Sequence, residues 1–176
     1  MKNRTGLIYA SVDGQTAKIS EEIRSDFNKA GKEIELYNIE DFDKKVEDFD
    51  TLIIGSSIRY GVHHESIMNF IDKNTEKLEA INSIFFSVNL VARKPEKNEA
   101  STNPYVIKFL DKIKWKPSKV AVFAGMLDYK KYGFWDRKMI QLIMWITKGP
   151  TNADAKVEYT DWNKVHQFSK ELIGLN

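Results

Sequence analysis

Five short apolar runs, separated by stretches of helical periodicity, constrain the fold of this chain more than any other feature. Residues 5–10, 33–38, 51–54, 83–88 and 120–125 carry Ile, Leu, Val and Phe in runs too short for helices, so they read as strands. The run at 51–54 is continuous enough to be buried on both faces, the mark of a parallel sheet. Between the strands, Ile19, Ile23 and Phe27 recur at helical spacing until Gly31 stops the pattern, and Ile67, Ile71 and Leu78 mark a second helix. A third spans 105–113 with Pro104 at its first turn. The acidic connection between the second and third strands is too short for a full helix by pattern, although a helix there stays open. Residues 156–159 read as further strand. A last helix carries Trp162, Val165, Phe168 or Ser169, and Leu172, capped by Thr160 or Asp161. The expectation is an α/β fold: one doubly wound, five-stranded parallel sheet with helices on both faces, whose ligand lies outside the carboxyl ends of the strands.

The 176 residues suit a single domain, 1–176, without repeats or linkers. There is no cysteine, which excludes disulfides, thiolate metal sites and cysteine nucleophiles and fits a reducing cytoplasm. With 27 basic and 25 acidic residues the formal charge is +2, far from the field of a nucleic-acid binder. No run approaches the roughly 18 apolar residues of a membrane span, and no secretory leader precedes the first strand. The chain reads as cytoplasmic and soluble or peripheral.

In such a fold, four loops meet at the carboxyl edge of the sheet. The first, Ser11-Val12-Asp13-Gly14-Gln15-Thr16, with Ala17 in the helical turn that follows, offers hydroxyls and a glycine at a helix N-terminus and reads as a phosphate loop; the plain alternative is an ordinary helix cap. The second runs from Gly55 to Gly61 and includes Ser57, Arg59 and Tyr60, whose flat face suits stacking on a ring. The third, Ser87-Val88-Asn89-Leu90-Val91-Ala92-Arg93-Lys94-Pro95-Glu96-Lys97, supplies backbone N–H groups and cations. Together they describe a flavin mononucleotide (FMN) site, and Arg59 and Arg93 would favour reduced flavin, which gains negative charge. Taken singly, Tyr60 is also compatible with a partly buried aromatic, and the two arginines with solvated surface charges. His63 and His64 precede a helix without a third ligand at useful spacing, so they read as surface or capping residues and no metal is expected. The chain lacks the G-x-S-x-G elbow, the triphosphate-binding G-x-x-x-x-G-K-[ST] and the dinucleotide G-x-G-x-x-G. It also has Ile54-Gly55 where a phospho-receiver wants an aspartate.

After the fifth strand, residues 126–155 form an insertion of about 30 residues where a handful would do. From Asp128 to Lys148 it holds Lys130, Lys131, Arg137, Lys138 and Lys148 against Asp128 and Asp136, a local charge of +3. Its Trp135 and Trp145 flank a short run of Met and Ile. Three uses fit: contact with a membrane surface, burial against the sheet or another subunit, and contact with an apolar, carboxylate-bearing substrate.

The strings S-V-D-G-Q-T, G-S-S-I-R-Y-G, S-V-N-L-V-A-R-K-P-E-K and Y-T-D-W at 159–162, taken in order and with the insertion in place, resemble the bacterial menaquinone-dependent protoporphyrinogen IX dehydrogenases of haem biosynthesis. The resemblance spans essentially the whole chain. It implies a flavodoxin-like fold, non-covalent FMN, oxidation of protoporphyrinogen IX to protoporphyrin IX, electron transfer to menaquinone or another quinone at the inner-membrane surface, and leaves a homo-oligomer open. It assigns FMN contacts to Ser11, Asp13, Gly14, Gln15 and Thr16 and to Ser87, Asn89, Leu90, Val91, Ala92 and Arg93, to which the loops themselves add Ala17, Ser57, Tyr60 and Val88. Substrate or membrane contacts fall to Arg59, Lys94, Lys130, Lys131, Trp135, Arg137, Lys138 and Trp145. Val12 stands where relatives can carry a basic residue, and Gly133 interrupts the aromatic and basic run, which sets a continuous helix there in question. An electron-carrying flavodoxin and an NAD(P)H-quinone reductase share the fold and are the competing readings; Lys94, Lys97, Lys130 and Lys131 make the edge basic where a carrier would present docking acids.

Overall fold

The computed structural model describes residues 4–131, 133–146, 149–152 and 154–175, apart from the side chains of Lys131 and Leu175; Lys148, counted in the insertion's charge above, lies outside the described residues. The chain order is β1 (Thr5–Ala10), α1 (Gln15–Lys29), β2 (Glu35–Asn38), β3 (Thr51–Arg59), β4 (Val62–His63), α2 (Glu65–Glu79), β5 (Asn82–Asn89), α3 (Pro104–Lys112), β6 (Lys119–Ala124), β7 (Met126–Asp128), α4 (Phe134–Ile146), β8 (Lys156–Glu158) and α5 (Trp162–Leu175). The strands β2-β1-β3-β5-β6 form a parallel sheet in that order, and β4 turns back antiparallel on β3.

Alternation along the central strands sorts their side chains between two cores. Leu7, Ile53, Ile84 and Phe86 face α1 and α5 through Ile19, Ile23, Phe27, Val165 and Phe168. Ile8, Leu52, Ile54 and Phe85 face α2 and α3 through Ile67, Ile71 and Phe109, with Trp115 joining them from the segment after α3. Both faces of each central strand are therefore covered, which explains the unbroken apolar runs. The connection between β2 and β3 contains only two 3-10 turns, Ile39–Asp41 and Val46–Asp48, so no α-helix hides there. Asp161 rather than Thr160 caps α5, its Oδ1 accepting from the amides of Asn163 and Lys164.

The insertion follows β6. Residues 156–158 do not extend the central sheet; they pair antiparallel with β7 as a separate ribbon. Leu127, Tyr129 and Met144 form a small core of their own with Leu90, Ile140 and Tyr159 packed against it. Helix α4 is continuous from Phe134, and Gly133 lies before it rather than within it, its carbonyl accepting from the Arg137 amide at 2.9 Å.

Candidate functional site

The turn from β1 into α1 is organised by Gly14, whose φ of 92° belongs to a conformation other residues reach only under strain. Its amide donates to Ser11 Oγ at 3.1 Å, which leaves the Ser11 O–H able to donate outward. Helix α1 has no side-chain cap and no acid in its first turn, so its first amides keep donor capacity toward the cleft. Two hydroxyls, Thr16 Oγ1 and Ser57 Oγ, are buried and lack a hydrogen-bond partner, and both residues line one cleft of about 420 Å³ at the carboxyl edge of the sheet. Each such orphan costs about 1–3 kcal/mol. Two of them beside an open helix N-terminus fit a resident phosphate group and the body attached to it.

The same cleft takes Ser11, Asp13 and Gln15 from the first loop, Arg59 and Tyr60 from the second, and Val88, Asn89, Leu90, Val91 and Arg93 from the third. The stretch 55–61 is not a loop, however. Strand β3 continues through Arg59, paired with β1 to Ser56 and with β5 to Ser57, and only Tyr60 and Gly61 turn. Their φ values of 52° and 78° are those of a two-residue hairpin turn whose twist matches the strands it joins. Gly55 is needed inside the strand because the tip of the Phe86 ring occupies the place of its absent Cβ.

Ser87 and Ala92 stand behind the cleft wall. Ala92 is buried with Val106 and Val122, and its amide donates to Asn89 Oδ1 at 3.1 Å. Ser87 Oγ accepts from Asn89 Nδ2 at 3.1 Å, and Asn103 Nδ2 donates to Asn89 Oδ1, so buried amides fix the turn Leu90–Arg93 from below. Arg93 folds over that turn, donating to the Leu90 carbonyl at 2.9 Å, with its guanidinium over the Tyr159 ring. Gly14, Ala17 and Lys94 do not line the cleft, nor do Lys130, Trp135, Arg137, Lys138 or Trp145. The Lys131 side chain lies outside the described residues.

His63 corrects another expectation. It is neither a surface nor a capping residue: it is buried between Phe85 and Phe109 and shares a 2.9 Å hydrogen bond with Ser87 Oγ. His64 does cap α2, accepting weakly from the Ser66 amide. Burial lowers the His63 pKa from 6.5 to about 4. The unfolded chain protonates this ring near 6.5 and the folded chain resists until about 4, so unfolding takes up a proton as the pH falls. Stability is therefore full above 6.5 and lost progressively down to about 4, by about 3 kcal/mol. Urea unfolding across this range checks it: the stability difference between wild type and His63→Phe should shrink as the pH drops, and a pH-independent difference contradicts it.

Sequence reasoning missed the fourth wall. Met139, Ile140, Ile143 and Met144 of α4 line the cleft opposite the strand ends. Their spacing marks one helical face, but nothing local says which way that face turns. Asp136, one turn earlier, accepts from Arg59 Nη2 at 2.8 Å and from the Tyr60 hydroxyl, which its charge pushes above the usual phenol range. The Y-T-D-W string is a joint between the insertion and the start of α1. Thr160 Oγ1 donates to the Ala124 carbonyl and accepts from Gln15 Nε2, Trp162 Nε1 donates to Glu158, and Lys18 pairs with Glu158 while lying over the Trp162 ring.

Residues 6–154 match the flavodoxin domain family. The chain is 39% identical over 173 residues to the protoporphyrinogen IX dehydrogenase [quinone] of Escherichia coli (strain K12), covering 98% of this chain and 96% of that protein. It is 39% identical over 171 residues to the protein of the same name from Leishmania major, covering 96% of this chain and 74% of that one. Among solved structures, a short-chain flavodoxin associated with a non-canonical PDU bacterial microcompartment superposes with a TM-score of 0.54 at 13% identity, over 98% of this chain and 97% of that one. The rubredoxin oxygen:oxidoreductase of Desulfovibrio gigas gives 0.55 at 12% identity, over 98% of this chain and 36% of that one. Those two likenesses carry the fold, and the sequence kinship carries more: the chain belongs to the flavodoxin domain family and, within it, to the quinone-dependent protoporphyrinogen IX dehydrogenases.

Proposed function

We infer that this chain is an FMN-dependent oxidoreductase that converts protoporphyrinogen IX to protoporphyrin IX and delivers the electrons to a quinone. The observation that carries the reading is kinship with the E. coli enzyme along nearly the whole chain, insertion included. The orphan hydroxyls of Thr16 and Ser57 beside the open end of α1 support FMN as the resident cofactor. When bound, FMN supplies a two-electron acceptor that the substrate reduces and a quinone reoxidises.

The chain's own task is to hold and orient. Thr16, Ser57 and Ser11 donate to the phosphate and its linker, and the amides at the start of α1 add their dipoles. Tyr60 and the turn at Leu90–Arg93, which line the cleft, would hold the FMN ring. Met139, Ile140 and Ile143 present an apolar wall to the tetrapyrrole, while Arg59 and Arg93, which line the cleft, supply cations for its propionates. No side chain is assigned as acid or base; positioning an easily oxidised substrate suffices. Repeated turnovers complete the oxidation.

The outer side of α4 supports contact with the inner-membrane surface. Trp135 is 79% exposed and Trp145 71%, with Phe134, Leu142 and Ile146 also exposed and Lys130 and Lys138 nearby. Among the described residues no helix is long and apolar enough to cross a membrane, so the contact is interfacial. Flotation with anionic liposomes should weaken for Trp145→Glu and for Lys138→Glu. Equal flotation would assign this face to packing against another subunit. The chemistry is tested with FMN-loaded protein, protoporphyrinogen IX and a menaquinone analogue, which should yield porphyrin fluorescence only when both flavin and quinone are present. Bleaching of the flavin by NADPH, with no porphyrin formed, would replace this reading with an NAD(P)H-quinone reductase.

A further inference from the structure

We propose that Arg59 and Tyr60 form the carboxylate-reading site of the cleft, and that Asp136 is its built-in competitor, holding the two donors until a substrate carboxylate takes its place. The proposal rests on the tetrapyrrole reading above. Asp136 lies in the first turn of α4, whose following turns line the cleft, while Arg59 and Tyr60 line it from the end of β3. One of its oxygens accepts from Arg59 Nη2 at 2.8 Å and the other from the Tyr60 hydroxyl. A single carboxylate thus bridges two walls of the cleft across a sequence separation of 77 residues.

A guanidinium and a phenol converging on the two oxygens of one carboxylate are the donor set that a free carboxylate requires. Arg59 and Tyr60 line the cleft themselves, as do Met139 and Ile143 on the next turns of α4, so a ligand with an apolar body and an anionic end has both features within reach. The incoming carboxylate takes over the pairing of Arg59, and the displaced Asp136 carboxylate turns to water. The side chains of Arg59 and Asp136 are 32% and 25% exposed, so the swap happens against water and avoids stranding a buried ion. Release of Asp136 also frees the first turn of α4 from β3, which couples carboxylate capture to the opening of the apolar wall. Neutral ligands of the same shape leave the bridge in place.

The test is a binding titration of FMN-loaded protein with protoporphyrin IX and, in parallel, its dimethyl ester, read by quenching of tryptophan fluorescence and so independent of turnover. Asp136→Asn should bind the diacid about three- to tenfold more tightly than wild type, the range expected when a partly exposed ion pair stops competing, and bind the ester unchanged. Arg59→Met and Tyr60→Phe should each reduce the preference for diacid over ester, and a native far-UV circular dichroism spectrum with a cooperative melt confirms that all three variants fold. Diacid binding by Asp136→Asn that is unchanged, weaker, or strengthened equally for the ester overturns the proposal while leaving the tetrapyrrole reading intact. Wild-type protein that binds neither porphyrin overturns both.

Discussion

Thr16→Val should weaken FMN binding by about 10- to 100-fold while the apoprotein melts at the same temperature or slightly higher. The two halves of that result come from one atom. In the unliganded chain Thr16 Oγ1 is buried without a partner, so exchanging the hydroxyl for a methyl of similar volume removes an unmet desolvation cost. With cofactor bound, the same hydroxyl donates to a charged acceptor, an interaction worth about 1.5–3 kcal/mol. Ser57→Ala should follow the same pattern from β3, and the double variant should lose more FMN than either alone. Fluorescence titration of apoprotein with FMN, beside thermal melts without it, checks both halves. A variant that melts lower and binds FMN normally would mean that the hydroxyl serves the fold.

Gly55→Ala should destabilise the chain by about 3 kcal/mol, at the upper end of overpacking costs, and lower its FMN content as well. A Cβ at this position meets Phe86 Cζ at 2.2 Å, far inside contact distance. The Phe86 ring is fully buried and packs on Phe123 and Phe168, so it has nowhere to go without displacing the core beneath α5. Because Ser57, Arg59 and Tyr60 lie just beyond Gly55 on the same strand, a shift of β3 reaches the cleft directly. Urea unfolding gives the magnitude. Combining Gly55→Ala with Phe86→Leu should cost less than the two single changes added together, since the smaller side chain vacates the contested space.

Gly55 also shows where local reading stops. Gly-Ser-Ser favours a loop by propensity, yet β1 and β5 flank this segment and hold it in the sheet. The apolar strands and amphipathic helices were legible because a buried face imposes its period on the sequence. The turn from β1 into α1 was legible too, since glycine and hydroxyls precede a helix directly. His63 was not: the aromatic rings that bury it come from β5 and α3, more than a helix away in the chain. The helical pattern of α4 could be seen, whereas the direction of its cleft-facing side depends on the small core around Tyr129 and Met144. Asp136 read as one acid among cations, and its partnership with Arg59 exists only in three dimensions.

FMN passes electrons from a porphyrinogen to a quinone in this enzyme family. Anaerobic rapid mixing of FMN-loaded protein with protoporphyrinogen IX tests that transfer most directly. The account predicts bleaching of the flavin absorbance on mixing with porphyrinogen, and its return on adding a menaquinone analogue, with porphyrin accumulating over repeated cycles. Flavin that stays oxidised in the presence of excess porphyrinogen would contradict it.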